Sequence, residues 1–290
     1  MSSIKTSIQT LDKLGKQDIP GLIDLSTSVG WDYDQDEITT ILSSGTIYGH
    51  KNKEGKIVSS AAIVEYDSLV ASIGMVIVRD EYRGLGLGKT ATEKCIESVK
   101  GNKTVMLIAT DAGKPMYEKM GFISIDTVHK YLCDSFIPFR AIDFHSSSSI
   151  RDFNEEDIPQ IIMLDNIAFG DNRKTFLLNR IKQATKVLVV RNADADLVGF
   201  GMAISGSENL LLGPIVAPDV DMAYLLINHL TRNHSGKIRI DVPSGNDHFM
   251  TQLEQSGFAK VSQPPIMILN STEMPKRNQT LYGIAAQIFG

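Results

Sequence analysis

The chain states one pattern twice. Asp18-Ile19-Pro20-Gly21-Leu22-Ile23 returns as Asp157-Ile158-Pro159-Gln160-Ile161-Ile162, an offset of 139 residues. Gly74 returns at the same offset as Gly213, and Tyr117-Glu118-Lys119-Met120-Gly121-Phe122 returns at an offset of 136 as Leu253-Glu254-Gln255-Ser256-Gly257-Phe258. With 290 residues the chain has room for two domains, each with its own core. Between the copies, from Cys133 to Ser149, the pattern dissolves into Asp134-Ser135, Pro138 and the run Ser146 to Ser149. The expectation is two copies of one fold, over residues 1–140 and 148–290.

The first copy reads as an edge strand over 3–10, then a helix opened by Asp18 as cap with Pro20 in its first turn. An acidic helix follows from Asp34 to Leu42, then strands near 45–50, 56–66 and 69–78, with Asn52, Gly55 and Asp67 in the turns. A glycine loop leads into a helix on which Ala91, Cys95 and Val99 recur every four residues. The apolar strand Val105 to Ala109, a short helix over Pro115 to Met120, and a strand after Gly121-Phe122 complete it. The order β-α-α-β-β-β-α-β-α-β makes an α/β chain with mixed pairing.

The glycine loop, Arg83-Gly84-Leu85-Gly86-Leu87-Gly88-Lys89-Thr90, carries the chemistry. Three glycines in five residues keep side chains off the backbone, so a ligand can rest on amides that the first turn of a helix leaves without partners. That place suits phosphate. Spacing separates the loop types. A P-loop requires glycine five positions before Gly88, where Arg83 stands, and a dinucleotide fingerprint requires glycine where Lys89 stands. What fits is Arg/Gln-x-x-Gly-x-Gly/Ala, filled by Arg83, Gly86 and Gly88.

Composition narrows the class. An apolar fraction of 42% and a charged fraction of 22% describe a globular protein, and a net charge near −5 without a basic stripe argues against nucleic acid as the main partner. No apolar run approaches the ~18 residues of a membrane span, and the opening Met1-Ser2-Ser3-Ile4-Lys5-Thr6 lacks a signal region. The two cysteines, Cys95 and Cys133, suggest neither a disulfide framework nor a metal site. Cys95 is expected as a small buried hydrophobe, in a reducing cytoplasm.

The loop, the element order and Tyr117 four residues before Gly121-Phe122 together resemble the GNAT superfamily of acyl-CoA N-acyltransferases. Further stretches are similar to a bacterial tandem-GNAT group, in which an active N-terminal domain precedes a degenerate one. These are Gly30-Trp31, the Ala109-Thr110-x-Ala112-Gly113-x-Pro115-x-Tyr117 pattern, Gly213-Pro214-Ile215-Val216-Ala217 and Tyr282-Gly283-Ile284-Ala285. The resemblance implies an α/β (α+β) architecture of two tandem domains, each a mixed, mostly antiparallel sheet flanked by helices. It implies acetyl-CoA as co-substrate, no metal, and a small-molecule amine as acceptor. It assigns the pyrophosphate to Gly84, Leu85, Gly86, Leu87, Gly88 and Lys89, with Arg83 or Lys89 adding charge. Val76, Ile77 and Val78 would lie beside the pantetheine arm and aim an amide at the thioester oxygen, with Thr110, Gly113 and Pro115 on the other side. Tyr117 would protonate the leaving thiolate.

For the base that deprotonates the amine, Glu65 on the third strand is the first candidate, with His50, Glu81, Asp111 and water as rivals. Trp31 and Tyr33 are candidates for the lip of the acceptor pocket, and the acidic Asp32, Asp34, Asp36 and Glu37 beside them would draw a cationic amine. In the second copy Pro218-Asp219-Val220-Asp221-Met222-Ala223 replaces the glycine loop and Leu253 replaces the tyrosine. That copy keeps the fold and loses the phosphate cradle and the proton donor. The competing readings are a coenzyme A-binding sensor without turnover, against which Tyr117 weighs, and a transferase of longer acyl chains.

Overall fold

The computed structural model describes residues 8–139 and 149–290. In the first half the elements are β1 (Ile8–Leu14), α1 (Ile19–Thr27), α2 (Gln35–Ser44), β2 (Thr46–Asn52), β3 (Ile57–Glu65), β4 (Val70–Val78), α3 (Leu87–Ser98), β5 (Thr104–Ile108), α4 (Lys114–Lys119) and β6 (Ile123–Cys133). The second half repeats them as β7 (Ser149–Asp152), α5 (Ile158–Phe169), α6 (Lys174–Gln183), β8 (Lys186–Arg191), β9 (Leu197–Ser205), β10 (Leu210–Val216), α7 (Val220–Thr231), β11 (Ile238–Pro243), α8 (Asp247–Gln255), β12 (Ala259–Ser262) and β13 (Pro265–Leu269). A last strand, β14 (Leu281–Gly283), has no counterpart among the described residues of the first half.

Two local expectations are corrected. The first strand is described over Ile8–Leu14 and so runs past the expected end at residue 10; residues 3–7 of the expected strand lie outside the described residues. Asp18 sits at the cap position of α1, but its carboxylate turns back to accept from the Gly15 amide at 2.8 Å and from Lys51 at 2.6 Å. It closes a preceding 3-10 turn instead of the helix. Asp157 does the same for Asn154 at 2.9 Å, held by Arg151 and Arg191.

Pairing is antiparallel except where β4 meets β5 and β10 meets β11. The described strands form one continuous sheet in the order β1-β2-β3-β4-β5-β13-β6-β11-β10-β9-β8-β7. The halves have therefore exchanged their last strands. β13 lies against β5 (Ile268 opposite Met106), while β6 lies against β11 (Leu132 opposite Arg239). β6 and β12–β13 cross antiparallel about the Val128 amide, which donates to the Pro264 carbonyl at 3.0 Å, so a pseudo-two-fold axis passes there. The register makes Arg239 the counterpart of Met106, and Lys130 the counterpart of Ile266. Neither half closes its sheet without the other.

The halves also interlock through side chains. Arg180 on α6 pairs with Glu37 on α2 at 2.5 Å and donates to the Ala285 carbonyl at 2.6 Å. Asp171 accepts from the Leu69 and Val70 amides at 2.8 and 2.9 Å. Buried side chains of both halves, among them Ile77, Met106, Phe169, Phe176 and Phe289, share one core.

Candidate active site

β4 pairs with β5 only from Val70 to Ile73. At the next residues the edge opens. Two residues of β4, Met75 and Val76, stand opposite Ala61 between the pairs Ala62–Gly74 and Ser60–Ile77, which makes a β-bulge with Met75 at φ 51°. Beyond it Val76, Ile77 and Val78 face no strand on the β5 side, so an open slot runs along β4 past the end of β5. Val76 and Val78 approach the loop: a Cβ on Gly88 would lie 3.3 Å from Val78 Cγ2 and 3.9 Å from Val76 Cγ1. Glycine at 88 lets the helix start pack against the strand.

At the top of the slot, Gly84 and Gly86 take φ of 76° and 81° with open space around them, so conformation rather than room demands glycine there. Among the described residues, none of the six amides from Gly84 to Lys89 donates to a protein acceptor; the first closed bond of the helix is Thr90 to the Gly86 carbonyl at 3.0 Å. Six unengaged donors at the positive end of a twelve-residue helix form a cradle for an anion. Arg83 pairs with Asp80 at 2.8 Å and Lys89 with Glu93 at 3.4 Å, both on the surface, where such pairs yield readily to a ligand.

On the other side of the slot, Thr110 accepts from the Gly113 amide at 3.2 Å and Pro115 lies in the first turn of α4. Tyr117 on that helix is buried, edge-on to Phe122 with ring centroids 5.8 Å apart. Burial, with nearby Cys95 a lesser contributor, pushes its phenol well above the ordinary value, so it rests protonated. Cys95 is a free thiol fully enclosed by the same core, pushed up to about 12 by that burial.

The slot opens beside a cavity of about 590 Å3 between the halves. The first half lines it with Trp31, Tyr33, Thr110 and Asp111, and the second with Lys130, Glu208, Lys237 and Arg239, together with Ala286 and Gln287. (Lys130 belongs to β6, the strand given to the second sheet.) Trp31 and Tyr33, 6.1 Å apart, line this cavity and also pack on the core. The Tyr33 phenol lies beside the Met75 amide at the bulge, and burial pushes its pKa upward, with Glu37 adding and Arg239 opposing.

The candidate bases fare differently. Glu65 is corrected: it stands opposite Ala71, at the end of the sheet away from the slot, where it accepts from the Lys100 amide at 2.7 Å and pairs with Lys103 at 3.4 Å. His50, on β2, is separated from β5 by two strands and bonded to Ser59 at 2.7 Å, and burial lowers its pKa against an opposing effect of Asp12. Glu81 is exposed on the turn before the loop. Among these only Asp111 borders the cavity. Residues unseen by the sequence reading, Lys130, Arg239 and Gln287, complete the walls; the alternation Ile238-Arg239-Ile240-Asp241-Val242 was the available signal for a polar face on β11.

The same place in the second half is closed twice over. Asp219 accepts from the Met222 amide at 2.9 Å and so caps α7 with the chain's own carboxylate. Ala217 to Val220 spans three positions where Val78 to Leu87 spans nine, so six residues are lost at the loop and three regained before α8. β14 then fills the slot. Leu281 and Gly283 pair with Val216 and Ile215, and the Ile284 amide donates to the Asp241 carbonyl of β11 at 2.9 Å. Leu253, at the position of Tyr117, is buried.

Among the described residues no helix is long and apolar enough to cross a membrane, and no group of three or more His, Cys, Asp or Glu is placed to hold a metal. Comparison with known proteins agrees with the fold. Residues 34–135 and 161–283 each match an acetyltransferase (GNAT) domain. A Bacillus subtilis (strain 168) protein described as the uncharacterized N-acetyltransferase YitH is 34% identical over 98% of this chain and 99% of its own. Among solved structures, one from Pyrococcus horikoshii, provisionally described as an acetyltransferase, superposes with a TM-score of 0.79 at 18% identity, covering 98% of this chain and 96% of that one. A tandem GNAT protein from the clavulanic acid biosynthesis pathway gives 0.66 at 12% identity, over 92% of this chain and all of the other. With both halves matched and a relative aligned from end to end, the chain belongs to the GNAT acetyltransferase family and is an acyltransferase of two tandem GNAT domains.

Proposed function

We propose that this protein transfers an acetyl group from acetyl-CoA to the primary amine of a small molecule, at the slot of the first half. The observation that carries this is the run of six amides, Gly84 to Lys89, without protein acceptors at the start of α3, beside a slot that the second half fills with its own chain. In this reading those amides hold the pyrophosphate, with Arg83 and Lys89 released from their surface pairs to add charge. The pantetheine arm takes the place along Val76, Ile77 and Val78 that β14 takes along Ile215 and Val216, with Thr110, Gly113 and Pro115 on its far side. A backbone amide at the bulge stabilises the oxyanion of the tetrahedral intermediate, a contribution of about 3 kcal/mol in comparable sites.

The acceptor enters from the cavity between the halves, past Trp31 and Tyr33. Its ammonium loses a proton to water, with the Asp111 carboxylate on the rim as the candidate relay, and the free amine attacks the thioester carbon. When the C–S bond breaks, the electron pair goes to sulfur and Tyr117 supplies the proton. The buried thiols of Cys95 and Cys133 suit a reducing cytoplasm.

The test is free-thiol release from acetyl-CoA with a panel of amines, for the wild type and Tyr117→Phe side by side. Acceptor-dependent release that falls by about 10²-fold in kcat in the variant supports the reading. Tight acetyl-CoA binding without release across the panel favours a coenzyme A-binding sensor.

A further inference from the structure

The pseudo-two-fold axis creates two equivalent junctions between the halves, and they are built differently. At one, the outer face of the β5–β13 pair presents Met106, Ile108, Ile266 and Ile268, all in or against the shared core. Phe169 and Gly290 close over it; a Cβ on Gly290 would stand 3.1 Å from Met106 Cε. At the other, the same four positions on β11 and β6 are Arg239, Asp241, Lys130 and Leu132, and the 590 Å3 cavity stands over them. The aspartates that face the two junctions differ in the same sense. Asp171 binds the Leu69 and Val70 amides at 2.8 and 2.9 Å, whereas the carboxylate of its counterpart Asp32 has, among the described residues, Asn209 alone as a hydrogen-bond partner, at 3.5 Å.

The sealed junction carries apolar residues at all four equivalent positions. A buried ion pair is seldom more stabilising than well-packed hydrophobes of similar size. Stability therefore does not explain the polar set. Arg239 spends Nε and Nη2 on Asp241, at 3.2 and 2.6 Å, which leaves Nη1 with no hydrogen-bond partner among the described residues. Lys130, directly across the ladder from Asp241, is the second cation of this wall: burial first, then the neighbouring Arg239, lowers its pKa, while Asp241, Asp32 and Glu208 oppose. Of the acids that border the cavity without a cationic partner, Asp32, Glu208 and Asp111 are exposed, while Asp34 is half-buried and accepts from the Glu37 amide at 2.8 Å; Arg239 and Lys130 thus lie on the floor, and the rim, Lys237 apart, is acidic.

We infer that the acceptor is a small zwitterion, a primary amine that also carries one anionic group, with that group seated on Arg239 Nη1 and Lys130 and its amine directed past Tyr33 to the slot. This deepens the transferase reading and rests on it. The acidic rim disfavours polyanions, and the second half acts as the specificity element of a reaction that the first half performs.

Matched acceptors test it: amino acids beside the amines made by removing their carboxylate, and phosphoethanolamine beside ethanolamine, with spermidine as a polycation. The variants carry the residues of the sealed junction, Arg239→Met with Asp241→Ile, and separately Lys130→Ile. The inference predicts at least ~10-fold higher kcat/KM for the anionic member of a pair, carried by KM, and loss of that preference in both variants with acetyl-CoA affinity unchanged; whether carboxylate or phosphate is preferred identifies the anion. Equal or better use of the amines that lack the anionic group, or of spermidine, overturns the inference and leaves the transferase standing. If no amine releases thiol although acetyl-CoA binds, the transferase reading falls. Calorimetry with the same amines then decides the site: selective binding of the anionic members that both variants lose keeps it, and its absence overturns it.

Discussion

The Asp219 carboxylate lies 2.9 Å from the Met222 amide and closes the start of a helix whose counterpart, at Gly86, stands open. One carboxylate thus does for the second half what a bound phosphate would do for the first. Replacement by alanine should cost about 1 kcal/mol of stability, the usual value of an N-cap, and leave acetyl-CoA affinity as it was. Thermal unfolding and a titration on the same variant check both parts.

Arg173 ties the last described segment to the interior. Its fully buried guanidinium binds both oxygens of Asp165, at 2.9 and 2.6 Å, and donates to the Phe289 and Gly290 carbonyls at 2.9 and 2.8 Å, while it stands 4.0 Å from the Phe169 ring. Arg173→Met leaves Asp165 buried without a partner and should cost about 3 to 5 kcal/mol. Pairing it with Asp165→Leu should restore a large part of that loss in denaturant unfolding.

The repeated 3-10 turns predict an acid response. Burial works to raise the pKa of Asp157, but the Arg151 fork at 2.7 and 2.8 Å, the Asn154 amide and Arg191 outweigh it and hold the carboxyl below its ordinary value. Its contribution is therefore complete above the unfolded-state value near 4 and is lost as pH falls through the lower folded one. Asp157→Asn should be less stable than wild type at pH 7, with the gap narrowing between about pH 5 and pH 2. A constant gap across that range would contradict the assignment.

In the loop, Gly86 occupies the left-handed region at φ 81° with nothing near its missing side chain. Gly86→Val should therefore lose about 1 to 2 kcal/mol to backbone strain, and the reoriented amides should bind acetyl-CoA at least ~10-fold more weakly. Competition with free coenzyme A measures the second effect.

Local chemistry made much of this legible in the sequence. The spacing of Arg83, Gly86 and Gly88 identified a loop whose glycines the structure shows to be needed for two different reasons, φ at 84 and 86 and close approach at 88. The 139-residue echo revealed the second half, and its missing glycines and tyrosine are where the structure places Asp219 and Leu253. What escaped were relations between distant segments. No alternation pattern says that β13 will pair with β5 rather than with its own half, because either partner satisfies the same strand face. Glu65 fell at the wrong end of its strand, since residue types do not give the direction in which a slot opens. Leu281 to Gly283 reads as a short apolar tail, and only the open edge of β10 makes it a plug.

The acetyl-CoA site is proposed for one half, and β14 and Asp219 fill the equivalent place in the other. Isothermal titration of acetyl-CoA into the wild-type protein and into Gly86→Val tests this most directly. One site per chain, weakened at least ~10-fold in the variant, is expected. Two sites per chain, or binding that Gly86→Val leaves unchanged, would contradict it.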